Sequence, residues 1–337
     1  MEVFHNFINF VLEHENGKIM TEEKDLLEQI ETAIAALKYP RRATGLYRPV
    51  AYTLAGGGKR LRPMLVLMAC EAVGGEVKDA VNQAIAIEIF HTFTLIHDDV
   101  MDRSARRRGR PTVYRRWGDV QAILSGDALL TMAYMRLCDC AQGHEQQLLS
   151  LFNRTALEVY EGQQLDTEFE HRDSVTVDEY IEMIRLKTSV LLGAACAMGA
   201  IMGGADEATV DAMYRYGEAL GLAFQLRDDW LDVYGDPAVF GKNIGNDIIT
   251  RKKTWLLIRA TELAGDRIES AYQIQGVTGR VVAGVKAVYD SLGLSQECAA
   301  LISKYALDAM NALPANLLDG YRERFVSLAI KLNERSK

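Results

Sequence analysis

The chain has 337 residues, 49% of them apolar and 25% charged, the balance of a globular protein with a substantial core. A formal net charge of −8 excludes a general nucleic-acid-binding surface, so an anionic partner has to meet a local cluster of cations. Five scattered cysteines, an odd number, fit neither a disulfide framework nor a zinc site and point to a reducing, cytoplasmic compartment.

The N-terminal stretch MEVFHNFINFVLEHENGK is amphipathic but lacks the basic start of a signal peptide. GGGKRLRP (Gly56 to Pro63) then places Lys59, Arg60 and Arg62 after three glycines and at a helix start. Glycines allow close backbone approach, and helix-start N–H groups favour anions. The spacing to lysine is not that of a Walker A loop.

Apolar residues at three- and four-residue steps predict helices over Val81 to Asp102, Asp119 to Cys140, Tyr180 to Met202 and Ala208 to Tyr234. Gly74-Gly75, Gly203-Gly204 and Asp236-Pro237 punctuate them. The first of these helices ends in HDDVMD, where Asp98 and Asp102 stand one turn apart on one face, with Asp99 beside them. His91 lies two turns before Asp98 on that face, whereas His97 points elsewhere and reads as structural. Arg106, Arg107 and Arg108 follow within a turn, and guanidinium forks suit phosphate.

YEGQQLD carries Gln163 and Asp166 as candidate hydrogen-bonding partners. Lys187 and Thr188 open an uncharged run to Ala205 that holds four glycines and five alanines, too small-residue-rich for a membrane span and suited to a buried helix. GLAFQLRDDWLDVYGD repeats the acidic pattern, with Asp228 and Asp232 at i, i+4. Residues 236 to 254, DPAVFGKNIGNDIITRKKT, form the longest segment without periodicity and include Lys242 and Lys252; a loop of this length is usually functional.

Like charges at i, i+4 destabilise a helix, and the C-terminal end of the macrodipole disfavours anions. Two copies of D-D-x-x-D at apolar helix ends therefore need compensation, which hard divalent cations supply. Mg²⁺ takes one or two carboxylates together with water and substrate phosphate. The acids hold metal, and metal plus cations hold a diphosphate. Strand alternation is nearly absent and no linker is visible. The expectation is an all-α, large single-domain helical bundle over residues 1–337.

With these landmarks in order (GGKRLRP, HTFTLIHDDVMD, RRGRPT, Gly126-Asp127, GQQLD, KT, FQLRDDWLD, GK, DI…K), the chain resembles the trans-isoprenyl diphosphate synthases of the polyprenyl synthetase family. The resemblance implies the isoprenoid synthase fold, a bundle around a deep central cavity, usually as a homodimer. It implies head-to-tail condensation of isopentenyl diphosphate with dimethylallyl, geranyl or farnesyl diphosphate. By position, Asp98 and Asp102 resemble ligands of two Mg²⁺ ions and Asp228 those of a third, with Asp99 and Asp232 supporting. Arg107, Lys187, Thr188, Gln225, Lys242 and Lys252 match the allylic diphosphate site. Lys59, Arg62, His91 and Arg108 match the isopentenyl diphosphate site. Arg103 and Arg106 match nothing.

Phe93, five residues before Asp98, sits about 7.5 Å along the helix axis and is expected to close the cavity. The small Thr94 leaves room beside it. This favours products of about C15 to C20, geranylgeranyl diphosphate above all, with a longer-chain synthase as the alternative. A terpene cyclase would not need GGKRLRP, and a non-catalytic subunit would not need two intact acidic motifs.

Overall fold

The computed structural model describes residues 16–139, 143–236, 245–274 and 278–333. In chain order the helices are α1 (Asn16–Ala35), α2 (Thr44–Leu54), α3 (Leu61–Ala72), α4 (Val77–Met101), α5 (Val113–Trp117), α6 (Asp119–Leu137), α7 (Glu145–His171), α8 (Val177–Ile184), α9 (Val190–Met202) and α10 (Glu207–Tyr234). They continue with α11 (Asn246–Ile249), α12 (Trp255–Tyr272), α13 (Thr278–Ser291), α14 (Leu294–Ala312) and α15 (Tyr321–Asn333). The strands among the described residues are two-residue pieces, β1 (Arg106–Arg107) and β2 (Arg110–Pro111), paired antiparallel. The chain is all-α, as its periodicity predicts.

The residues group into two compact units. The first takes the described part of Met1–Asn153 together with Ala194–Met213 and Pro314–Tyr321. The second takes Arg154–Gly193, Tyr214–Leu313 and the described part of Arg322–Lys337.

In the first unit α4 is the central helix. Every residue from Gln83 to Phe90 is buried, so all sides of the helix are covered, as its apolar circumference requires. Its most extensive packing is against α6, followed by α3. Two side-chain amides tie its start to the end of α6: Asn82 Nδ2 donates to the Asp139 carbonyl (3.0 Å) and Gln83 Nε2 to that of Leu137 (3.1 Å). The glycine pair after α3 closes that helix in a Schellman turn. Gly75 N–H donates to Cys70 O and Gly74 N–H to Glu71 O (both 2.9 Å), with Gly74 at φ 94°.

In the second unit α12 packs on α13, α14 and α8. Helix α8 starts on a capping box, in which Thr176 and Glu179 satisfy each other's backbone N–H groups. The sequence reads Tyr180 to Met202 as one helix. The structure interrupts it with a π-helical turn at Arg185–Ser189, marked by the Val190 N–H reaching back to Arg185 O. The stretch Val177–Met202 is long and apolar enough to cross a membrane, yet 89% of its most apolar window is buried within the protein, which is the pattern of a core helix.

Candidate active site

In the first unit the acidic motif forms the last turn of α4. Asp99 is buried, Asp98 half-buried, and Asp102 exposed as the C-cap. A Schellman turn ends the helix here, with Ser104 N–H on Asp99 O (3.1 Å) and Arg103 N–H on Val100 O (3.4 Å). Its C′ residue is Arg103 at φ 51°, where glycine is usual. The Arg103 guanidinium pairs with Asp119 at 2.6 Å, a structural use in keeping with its lack of a family match.

The chain then folds straight back. Arg107 and Arg110 pair across a two-residue loop, Arg108-Gly109, with φ of 51° and 73°. Two positive φ values define a type I′ turn, which normally selects Asn-Gly or Asp-Gly. The reversal brings Arg107 onto the acids: its Nε donates to Asp99 Oδ1 at 2.9 Å, and its Nη2 lies 3.8 Å from Asp98 Oδ2. Arg108 at the tip donates to the Gly57 carbonyl, joining the hairpin to the glycine loop. Burial pushes the Asp99 carboxyl above its ordinary range, against the pull of Arg107.

Of the cations in GGGKRLRP, Arg60 is fully committed. It sits at φ 48° as the N-cap of α3, and its guanidinium donates to Glu31 (2.7 Å), Glu88 (2.6 Å) and the Leu54 carbonyl (2.7 Å). Lys59 is exposed on the loop. Arg62 Nη1 lies 3.2 Å from His91 Nε2. Arginine can only donate, so the imidazole accepts through Nε2 and is neutral, with its proton on Nδ1. The electrostatics agree. Burial, then Arg62, Arg108, Arg107 and Arg60, hold the His91 imidazole well below its usual range. Burial brings the Arg62 guanidinium down to about 10, with Arg108 adding to the fall and Glu88 opposing it, so Arg62 stays charged at neutral pH. A small cleft lined by Tyr52, Gly56, Thr92, Asp99, Arg107 and Arg108 lies among these groups.

Phe93 is 6% exposed, with its ring 4.7 Å from His97 and 5.6 Å from Phe90. Thr94 Oγ1 donates to the His91 carbonyl (2.9 Å). His97 contacts the Ile123 carbonyl (3.2 Å) and lies against Gly126, where a Cβ would come within 2.2 Å of its ring. His97 thus packs α4 on α6, and only a residue without a Cβ at position 126 admits its ring there.

In the second unit, Lys187 and Thr188 lie inside the π-helical turn. Gly162 of α7 abuts this turn: a Cβ there would stand 2.2 Å from Lys187 N. Close approach lets Asp166, one turn further along α7, pair with Lys187 Nζ at 2.5 Å. Asp166 also feels the Lys252 charge; burial opposes these cations, but its carboxyl ends below the usual range. Thr188 Oγ1 donates to Gln225 Oε1 (3.0 Å), and Gln225 Nε2 donates to Asp229 Oδ1 (2.9 Å). Asp229, 5% exposed, also accepts from the buried Tyr180 hydroxyl at 2.5 Å. Asp228 is half-buried beside it.

Asp232 has a different task. Its Oδ2 accepts the Asp247 N–H (2.9 Å) and its carbonyl the Gly245 N–H (2.6 Å), which anchors α11 to the acidic helix. A Schellman turn with Arg251 at φ 54° ends α11 and sets Lys252 beyond it, its N–H on Asp247 O (2.9 Å). Lys242 lies outside the described residues. The Gln163 side chain is half-buried on α7.

Lys59, Arg62, His91, Asp98, Asp99, Asp102, Arg107 and Arg108 therefore fall in the first unit. Asp166, Lys187, Thr188, Gln225, Asp228, Asp232 and Lys252 fall in the second. Sequence reasoning missed Tyr180 and the place of Asp229, because an aromatic at helical spacing reads as core. Among the described residues no three His, Cys, Asp or Glu side chains converge into a closed cation cage. Open carboxylates at a helix end, with cations beside them, suit a hard cation that keeps water and phosphate oxygens among its ligands.

An all-α protein with a DDxxD helix end and adjoining cations in each of two units belongs to the isoprenoid synthase fold class. This is supported by the crystal structure of geranylgeranyl pyrophosphate synthetase from Pyrococcus horikoshii Ot3, which superposes with a TM-score of 0.89 at 32% identity, covering 96% of this chain and all (100%) of that one. Residues 43–292 match the polyprenyl synthetase family, and the chain belongs to it. A geranylgeranyl diphosphate synthase of Methanosarcina mazei is 40% identical over 246 residues, 72% of this chain and 76% of the relative. A polyprenyl synthase from Caulobacter crescentus CB15, solved with calcium and isoprenyl diphosphate, matches at 28% identity with a TM-score of 0.79 over 98% of each chain.

Proposed function

We propose that this chain is a Mg²⁺-dependent trans-prenyltransferase, a single catalytic domain that condenses isopentenyl diphosphate head-to-tail with dimethylallyl, geranyl or farnesyl diphosphate. The product is an all-trans chain of about C15 to C20, with geranylgeranyl diphosphate favoured. The observation that carries the reading is that each acidic helix end has a cation beside it, Arg107 on Asp98 and Asp99 and Lys252 near Asp229, with Lys187 held next to the second by Asp166.

In this reading Asp98, Asp102 and Asp228 hold three Mg²⁺ ions, which when bound supply Lewis-acid stabilisation of diphosphate charge. Arg107, Lys187, Lys252 and, outside the described residues, Lys242 hold the allylic diphosphate. Lys59, Arg62 and Arg108 hold the isopentenyl diphosphate, with His91 as a neutral acceptor that orients Arg62. Asp99, Asp232, Gln163 and Asp166 support them; Asp166 fixes Lys187, and Asp232 fixes the loop bearing Lys252.

The allylic C1–O bond breaks, and its electron pair leaves with the diphosphate. The isopentenyl double bond supplies the pair for the new C–C bond at C1. A proton from the resulting tertiary cation passes to the departing diphosphate. Oxygen lone pairs of Thr188 and Gln225 face the developing positive charge, as preorganised dipoles do.

A homodimer and a cytoplasmic location belong to the same reading. Val120, Leu124 and Met135 leave an apolar face of α6 exposed (73%, 49% and 69%), which suits a second copy. Cys70, Cys196 and Cys298 are buried free thiols, which suits a reducing compartment.

The test is turnover by the purified chain with isopentenyl diphosphate, each allylic primer, and Mg²⁺ or chelator, with products resolved by chain length. Asp98→Ala and Asp228→Ala are expected to lower turnover by several orders of magnitude with folding intact. Absence of Mg²⁺-dependent elongation in the wild type would overturn the reading.

A further inference from the structure

The hydrogen bonds that reach Thr188 all run in one direction. A carboxylate only accepts, and both Asp229 oxygens are taken: Oδ2 by the Tyr180 hydroxyl at 2.5 Å, Oδ1 by Gln225 Nε2 at 2.9 Å. The Gln225 amide must therefore turn its NH₂ toward Asp229 and its carbonyl oxygen toward Thr188. That oxygen carries no hydrogen, so the 3.0 Å contact is made by the single hydroxyl proton of Thr188. Thr188 Oγ1 is left with lone pairs alone to offer to anything else.

We propose that Tyr180 and Asp229 are positioning residues that fix the polarity of the Gln225–Thr188 pair, making the Thr188 oxygen an acceptor only. The inference rests on the prenyl-transfer reading, in which that oxygen faces a carbon becoming positive. A hydroxyl free to rotate would present its hydrogen to that carbon part of the time and repel it. A hydroxyl whose hydrogen is committed inward cannot.

Burial makes the arrangement rigid. Tyr180 is 1% exposed and Asp229 5%, so no solvent competes for their bonds. Tyr180 stands on α8, Thr188 in the π-helical turn that follows, and Gln225 and Asp229 one turn apart on α10. The phenol therefore also ties α8 to α10 just ahead of the π-helical turn. Without it, Asp229 Oδ2 is open to a second donor, the carboxylate can rotate, and the amide of Gln225 loses its unique orientation.

A double-mutant cycle distinguishes this from plain structural support. Tyr180→Phe removes one oxygen and is expected to lower kcat roughly tenfold or more, the scale of a charge-assisted hydrogen bond, with KM for both diphosphates unchanged within about twofold. Thr188→Val removes the hydroxyl at nearly constant shape. If Tyr180 acts through Thr188, the double variant loses little more kcat than Thr188→Val alone; independent effects multiply instead. Asp229→Asn, which lets the Gln225 amide turn over, supplies a second cycle with Thr188→Val should Tyr180→Phe unfold, as judged by the urea midpoint.

Multiplicative losses, or a Tyr180→Phe enzyme with wild-type kcat, would overturn the proposal. Wild-type turnover in the same experiment separates that result from failure of the prenyl-transfer reading, which would show as no elongation at all.

Discussion

Adding one methyl group at Gly162 tests how closely the helices clasp the Lys187-Thr188 turn. The new Cβ would lie 2.2 Å from Lys187 N and 2.7 Å from both Leu186 C and Lys187 Cα. Ordinary contact lies at about 3.5 to 4.0 Å, so α7 or the turn must retreat by more than about 1 Å. The atoms in the way are backbone, and no side-chain rotation relieves them. Overpacking of this kind costs roughly 1–3 kcal/mol. Displacement by about 1 Å at a positioning group costs on the order of a hundredfold in rate. Gly162→Ala is therefore expected to lower the urea midpoint and, in the surviving folded enzyme, to cut kcat/KM for the allylic substrate far more than the stability loss explains, because the Lys187–Asp166 pair separates. Gly279→Ala, in open space near the start of α13, is the control: it should leave kcat/KM unchanged and hold or slightly raise the midpoint, because alanine favours the helix. A Gly162→Ala enzyme within about twofold of wild type in kcat/KM, with an unchanged midpoint, would refute the argument.

Arg62→Ala is expected to raise the apparent KM for isopentenyl diphosphate more than that for the allylic primer; equal effects on both would remove the basis for two subsites. Phe93→Ala should lengthen the product distribution seen by chromatography, whereas an active variant that stops at the wild-type length would leave Phe93 as core packing against Phe90 and His97. His91 makes stability depend on pH with a definite sign. Its folded value lies well below the unfolded 6.5, so between the two only the unfolded chain binds the proton. Stability should thus fall as pH drops through about 6.5, by at most about 1.4 kcal/mol per pH unit from this group. His91→Gln, which keeps an acceptor for Arg62, should flatten that slope in urea titrations, and parallel curves would contradict the assignment.

The parts of this protein legible in its sequence are those whose chemistry lies in side-chain type and spacing. Helical periodicity predicts α4, α6 and α10 nearly to their ends, and the i, i+4 acids fall in the last turns of α4 and α10. What escaped lies in the backbone. The π-helical turn at Arg185–Ser189 changes hydrogen-bond register without any residue pattern that announces it, so Tyr180 to Met202 read as one helix. The β1–β2 hairpin escaped because its turn uses Arg-Gly where asparagine or aspartate is the usual signal. Tyr180 escaped because its partner is 49 residues away, and nothing local distinguishes it from a core aromatic.

The crowding of both signs of charge in HDDVMDRSARRRGRP also has its cause in the backbone. Turn rules look for glycine at positive φ, yet this structure puts arginine there at residues 103, 108 and 251, as well as at the N-cap Arg60. For Arg103 and Arg251 the position is the C′ residue of a helix, where the negative end of the dipole favours a cation. For Arg108 it is the tip of the turn that returns Arg107 to Asp98 and Asp99. Each left-handed arginine costs on the order of 1–2 kcal/mol relative to an ordinary backbone conformation. Glycine would avoid that cost, but at 103 it would leave Asp119 without its arginine and at 108 the Gly57 carbonyl without its donor. The strain at Arg108 thus accompanies the turn that returns Arg107 to Asp98 and Asp99, and an arginine-to-glycine exchange at 108 should stabilise the backbone while weakening diphosphate binding. Equal binding by Arg108→Gly and wild type, measured with isopentenyl diphosphate, would show that the strain serves the fold alone.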